Sequence, residues 1–126
     1  MIDHVSIAVR DLKSAEAFYA AVLAPLGMTK LREWPDTAVG YGKKYPEFWI
    51  NKRVRMDEIA AESGAHICLR APDKSAVDAF HAATLDRGGA SDGAPGLRPE
   101  YHDGYYAAFV KDPDGNRIEA VTFLKD

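Results

Sequence analysis

Near its start the chain alternates small or polar residues with β-branched ones. His4, Ser6 and Ala8 fall on one side of an extended segment and Val5, Ile7 and Val9 on the other, as in a strand with one packed face. From Asp11 the period changes. Leu12, Ala15, Phe18, Tyr19, Val22, Leu23 and Leu26 recur at helical spacing, with Asp11 placed to cap the first free amides and Gly27 placed to end the helix in a left-handed conformation. The same order returns later in the chain. His66, Cys68 and Arg70 alternate with Ile67 and Leu69, and then Asp73 precedes Val77, Phe80, His81 and Leu85 before Gly88-Gly89. An offset of 62 residues, without gaps, pairs His4 with His66 and Gly27 with Gly89. Over this stretch the identities are His4/His66, Asp11/Asp73, Ala17/Ala79, Phe18/Phe80, Ala20/Ala82, Ala21/Ala83, Leu23/Leu85 and Gly27/Gly89, where average composition gives about two. The chain therefore reads as a duplicated module, with copies at 1–57 and 64–126. Two copies are too few for a solenoid, so they are expected to share one core.

After each helix no long helical pattern follows, which leaves those stretches to strands. They are expected at Met28–Trp34, Ala38–Tyr41 and Glu47–Asn51 in the first copy, and at Tyr105–Lys111 and Arg117–Leu124 in the second. The last two flank Asp112-Pro113-Asp114-Gly115-Asn116, a hairpin turn in which proline presets φ and the following residues tolerate positive φ. Nothing fixes boundaries within 32–46 or 90–104. Between the copies, Met56-Asp57-Glu58-Ile59 suggests a short helix. The fold class expected is α+β: two tandem βαβββ modules forming a cupped mixed sheet around a shared cleft.

At 126 residues with 47% hydrophobic and 28% charged positions, the chain can bury a single core. Sixteen Lys and Arg against nineteen Asp and Glu give a net charge of −3 without a basic stripe, so nucleic acid is not an expected partner. No apolar run approaches the length of a membrane span, so no membrane association is expected. The one cysteine, Cys68, has no internal disulfide partner, and the first residues lack a basic and then apolar leader pattern, so a cytoplasmic location is expected.

Tandem strand-helix-strand-strand-strand units, opening with Asp3-His4-Val5 and closing with Asp112-Pro113-Asp114-Gly115-Asn116-Arg117-Ile118-Glu119, resemble the vicinal oxygen chelate superfamily over nearly the whole chain. That superfamily includes glyoxalase I, bleomycin-resistance proteins, extradiol dioxygenases and fosfomycin-modifying transferases. The resemblance implies metal ligands at His4, His66 and Glu119, a divalent ion such as Zn, Ni, Mn or Fe, a small-molecule substrate and a homodimer. The residues are chemically suited to this. Two imidazoles and a carboxylate match a first-row divalent ion, and the vacant coordination positions would accept substrate oxygens.

The fourth ligand position of the glyoxalase I relatives falls on Trp49, whose indole cannot ligate, so the resemblance argues against a true lactoylglutathione lyase. Glu47, two residues earlier on the same strand face, would need a register shift to replace it. Trp49 either walls a pocket for a planar ligand or packs within the sheet. His102 is the candidate general acid or base, since an imidazole titrates near neutrality, and Tyr101, Tyr106 and Cys68 are candidates to line the substrate pocket. His81 is expected to be structural. Lys43, Lys44, Arg53 and Arg55 are read as surface charge. The functional expectation is a metal-dependent enzyme acting on a small oxygen-bearing substrate, of lyase or isomerase type. Its alternatives are an extradiol-type non-haem iron dioxygenase and a metal-free drug-binding protein.

Overall fold

The computed structural model describes residues 1–125. It contains strands β1 (Val5–Val9), β2 (Thr29–Trp34), β3 (Ala38–Gly42), β4 (Phe48–Lys52), β5 (Ile67–Arg70), β6 (Ala90–Leu97), β7 (Tyr105–Lys111) and β8 (Arg117–Phe123). Helix α1 (Leu12–Leu23) follows β1 and helix α2 (Lys74–Asp86) follows β5. Each half is a four-stranded mixed sheet with one order, β1-β4-β3-β2 in the first and β5-β8-β7-β6 in the second. The outer pair is parallel in each case, β1 with β4 and β5 with β8, and the helix makes the crossover. This is the expected α+β class with its duplicated βαβββ order. Among the described residues no hydrogen-bonded ladder joins the two sheets, so β1 and β5 are both sheet edges.

Both helices begin as their capping residues dictate. The Asp11 carboxylate accepts from the Ser14 amide at 3.0 Å, and Asp73 accepts from the Ala76 amide at 2.8 Å. Pro25 tightens the end of α1 into a 3₁₀ turn at Ala24–Leu26, and Gly27 then takes the left-handed conformation at φ 82°. Val9, Phe18, Tyr19, Val22, Ile50, Val77, Phe80 and Ile118 belong to one continuous core drawn from both halves. Each large side chain buried there contributes roughly 1.5–3 kcal/mol.

The closing turn also ties the halves together. Asp112 Oδ1 accepts from the amides of Asp114 and Asn116, at 2.9 and 2.8 Å, while Oδ2 accepts from the Tyr19 hydroxyl on α1 at 2.6 Å. Arg10 Nε donates to Asp114 at 2.7 Å, and the Asn116 side-chain amide donates to the Ala8 carbonyl at 2.9 Å. The short helix expected at 56–59 is absent. That segment runs irregularly, held where the Ile59 amide donates to the Asp114 carbonyl at 2.9 Å. Strand β6 had no sequence signal. Its Gly93, Pro95 and Gly96 break alternation, and they are tolerated because β6 is an edge strand whose register slips between Ser91 and Gly96. Among the described residues no helix is long and apolar enough to cross a membrane.

Candidate functional site

Strand alternation puts His66, Cys68, Glu119, Phe109 and Tyr105 on the face of the second sheet opposite α2. The register sets Cys68 beside Glu119 on one side and Phe109 beside Glu119 on the other. Glu119 is buried, its side chain only 3% exposed, and both of its oxygens are engaged. Oε1 lies 3.0 Å from His66 Nε2, and Oε2 accepts from the Tyr105 hydroxyl at 2.5 Å. Burial and this bond push the Tyr105 phenol up. The Cys68 residue is exposed, but its thiol sits against Glu119 and Tyr105, and lost hydration there, with the adjacent carboxylate, pushes it up to about 12.

The loop before β7 folds onto the same face. The His102 ring stacks on Phe123 at 5.1 Å and meets the Tyr105 ring edge-on at 5.2 Å. Its Nδ1 is bonded to the Asp103 carbonyl at 3.0 Å. Tyr101 packs edge-on to Tyr105 at 5.0 Å. His102 and Tyr101, both singled out from the sequence, thus gather around Tyr105 and Phe123 and are linked to Glu119 only through the Tyr105 hydroxyl. Tyr106 does not. It is 7% exposed and points the other way, where its hydroxyl donates to Asp78 on α2 at 2.6 Å, so it packs as part of the core rather than lining a substrate pocket. The residue on the site face is its neighbour Tyr105. The signal that finds it is parity: Tyr105, Ala107 and Phe109 share a face, and in the antiparallel ladder that face also carries Glu119. His81 donates to or accepts from Ser91 at 2.8 Å, a local brace as expected.

His4 lies apart from this pair. It opens onto a cavity of about 500 Å³ on the first sheet, lined also by Asp3, Ser6, Trp34, Tyr45 and Trp49, and its Nδ1 is 2.8 Å from Asp3 Oδ1. Trp49 lies against Gly40, where an added Cβ would come within 2.9 Å of two indole carbons, so the glycine lets the ring lie flat on the sheet. Trp34 and Tyr45, 55% and 50% exposed, also line this open cavity. Between edges β1 and β5 runs a second cleft of about 450 Å³, with Val5, Ser6 and Ile7 on one wall and Ala65, His66 and Ile67 on the other. Ser6 borders both cavities. Glu47 is not on the Trp49 cavity but lines a crevice with Cys68 and Arg70.

Among the described residues no group of three or more His, Cys, Asp or Glu is gathered to hold a metal. Two of the expected ligands, His66 and Glu119, are nevertheless brought together, in a hydrogen bond. Donors each about 2.1 Å from a common ion stand about 3.4 Å apart in a tetrahedral shell and about 3 Å apart at the right angles of an octahedral one. His66 Nε2 and Glu119 Oε1 are 3.0 Å apart, so the pair fits one edge of a first-row metal's coordination shell.

The sequence profile described as Glyoxalase/Bleomycin resistance protein/Dioxygenase superfamily matches residues 1–120. Among solved structures, a glyoxalase/bleomycin resistance protein from Albidiferax ferrireducens T118 is 30% identical, with 94% of this chain and 95% of that one covered and a TM-score of 0.79. A glyoxalase/bleomycin resistance protein/dioxygenase family enzyme from Burkholderia phytofirmans PsJN is 20% identical, with 98% of each chain covered and a TM-score of 0.72. A lactoylglutathione lyase from Agrobacterium tumefaciens is 24% identical, with 96% and 92% covered and a TM-score of 0.64. At these last two identities the likeness is one of fold. No curated protein matches the chain.

Proposed function

The chain belongs to the Glyoxalase/Bleomycin resistance protein/Dioxygenase superfamily, and from that membership we propose that it is a divalent-metal-dependent enzyme acting, in the cytoplasm, on a small oxygen-bearing organic substrate. The observation that carries this reading is the His66–Glu119 pair: a buried carboxylate and a half-exposed imidazole at the spacing of neighbouring metal ligands. Such an ion, when bound, supplies a Lewis acid for substrate oxygens and stabilises the negative charge that develops on them. Tyr105 fixes the Glu119 carboxylate by holding Oε2, which leaves Oε1 directed toward His66. His102, with Nδ1 tied to a carbonyl, presents Nε2 as a proton acceptor over the same face.

The third ligand is His4, contributed by a second copy of the chain. Support comes from the free edges of β1 and β5 and from the cleft between them, which Val5, Ile7, Ala65 and Ile67 line. A homodimer that lays β1 of one protomer beside β5 of the other would set His4 of the partner subunit opposite His66 and Glu119. Metal content and subunit mixing test this. His66→Ala, Glu119→Ala and His4→Ala proteins should each purify without stoichiometric metal. Mixed dimers of His4→Ala with Glu119→Ala should regain about half a site per chain, because one intact set is rebuilt across the interface. Metal content unaffected by the single substitutions would reject the site.

A second reading rests on the open cavity lined by Trp34, Tyr45 and Trp49, whose aromatic faces suit a protein that sequesters a planar ligand without chemistry. It requires ligand quenching of tryptophan emission that is indifferent to added metal.

A further inference from the structure

We infer that Arg98 is the anchor for an anionic group of the substrate, so that the molecule chelated at the His66–Glu119 site carries a carboxylate. Arg98 leads out of β6 and turns back over the site face. Its guanidinium carbon lies 5.3 Å from the centre of the Phe109 ring, and Phe109 is the residue directly across the ladder from Glu119. The centre of the same ring is 6.5 Å from that of the His66 ring. Neighbouring strands are about 4.8 Å apart, so a carboxylate gripped by Arg98 would lie on the order of 5–10 Å from Glu119. That is the span of a three- to five-carbon acid.

The guanidinium is seated rather than free. A Cβ at Gly93 would fall 3.2 Å from Nη2, and one at Gly96 would fall 3.2 Å from Nη1, so two glycines hollow out the sheet surface on which it rests. The Arg98 amide is fixed to the Tyr105 carbonyl at 2.8 Å, and Nη2 donates to the Ala94 carbonyl at 2.7 Å. These bonds use one of the five side-chain donors. Among the described residues no carboxylate lies within 4.0 Å of the group, whereas Arg117 on the same face is paired with Asp92 at 3.3 Å. The guanidinium of this half-buried residue, stacked, oriented and lacking a counter-ion among the described residues, one strand from the His66–Glu119 pair, is a pre-formed fork for a carboxylate. A bracing role alone would explain the Ala94 bond but not the glycine seat or the unpaired charge.

This inference rests on the metal-centred reading above, and the test separates the two. Zinc-loaded and zinc-free wild-type dimer are titrated calorimetrically with L-malate, D-malate and malic diamide, alongside Arg98→Gln, Gly96→Ala, Glu119→Gln and Lys43→Gln proteins. The anchor predicts that at least one malate enantiomer binds ten or more times more tightly than the diamide. It also predicts that Arg98→Gln and Gly96→Ala remove this preference without changing diamide affinity or zinc content, and that Lys43→Gln changes nothing. Equal affinities for malate and diamide, no malate binding to the wild type, or an Arg98→Gln protein that keeps the preference would each overturn it. Malate preference that depends on Arg98 but not on zinc or Glu119 would sustain the anchor while refuting the metal-centred reading.

Discussion

Replacing Tyr19 by phenylalanine removes one oxygen and leaves the ring's packing in place, edge-on to Phe18 at 4.9 Å and tilted against Phe48 at 5.2 Å. The lost group is the donor of a 2.6 Å bond to Asp112, a carboxylate only 4% exposed at the turn that ties the two halves together. A hydrogen bond to a charged partner contributes about 1.5–3 kcal/mol, and no cavity term accompanies this change. Unfolding entropy of about 2.1 cal/mol/K per residue converts that loss into a fall in Tm of roughly 6–11 °C for a chain of this size. The pH dependence gives a second signature. Burial raises the Asp112 carboxyl above its usual 3.8, and the Tyr19 bond opposes that rise by favouring the ionised form. The native state therefore takes up this proton at a higher pH than the unfolded chain does, and Tyr19→Phe shifts the native titration further upward. The deficit of the variant should be full at neutral pH and shrink as pH falls through the Asp112 titration. Calorimetric melts of both proteins from pH 7.5 to 4 check this, with Tyr41→Phe as a control that loses a longer, 3.2 Å bond to the Glu16 carbonyl and should cost about 1 kcal/mol or less. A Tyr19→Phe protein melting within 2 °C of wild type, or with a deficit that grows toward acid, would refute the reasoning.

Gly40→Ala should force Trp49 off the sheet, because the new methyl would sit 2.9 Å from the indole and from the Pro46 Cβ; overpacking of this kind costs about 1–3 kcal/mol, read by denaturant unfolding and by a shift in tryptophan emission. The Cys68 thiol, pushed up to about 12 by burial and the adjacent Glu119 carboxylate, should in the metal-free protein alkylate with iodoacetamide at least about ten times more slowly than an unperturbed thiol at pH 7.5, because its smaller thiolate fraction outweighs the greater reactivity of each thiolate, and mass spectrometry over time gives the rate.

The duplicated order of elements was legible because it rests on local signals: period-2 alternation before each helix, an aspartate cap at its start, and glycine at its end. Strand β7 was bounded correctly, Tyr105–Lys111, since its residues are apolar on both faces and a strong turn follows. β6 was not legible because an edge strand can carry glycine and proline, and here the glycines serve the Arg98 side chain rather than the ladder. Of the candidate site, His66 was singled out by its place in the repeat and Glu119 by the resemblance of the closing hairpin, and the two lie 3.0 Å apart, but Tyr106 was chosen over Tyr105 because composition marks a loop's aromatic residues without telling which face each takes. Parity counted back from Glu119 through the β7–β8 register separates them. The distance of His4 from its expected partners was not legible either, since alternation gives the face of a strand but not how two sheets are set relative to one another.

Metal-dependent chemistry in this protein requires that His66 and Glu119 hold an ion. Crystals soaked in zinc or nickel chloride and measured at the metal's absorption edge test this directly. The prediction is one strong anomalous peak per chain, about 2 Å from His66 Nε2 and from Glu119 Oε1 and completed by His4 of the partner subunit. An intact His66–Glu119 hydrogen bond with no peak beside it, at metal concentrations that saturate the protein in solution, would contradict it.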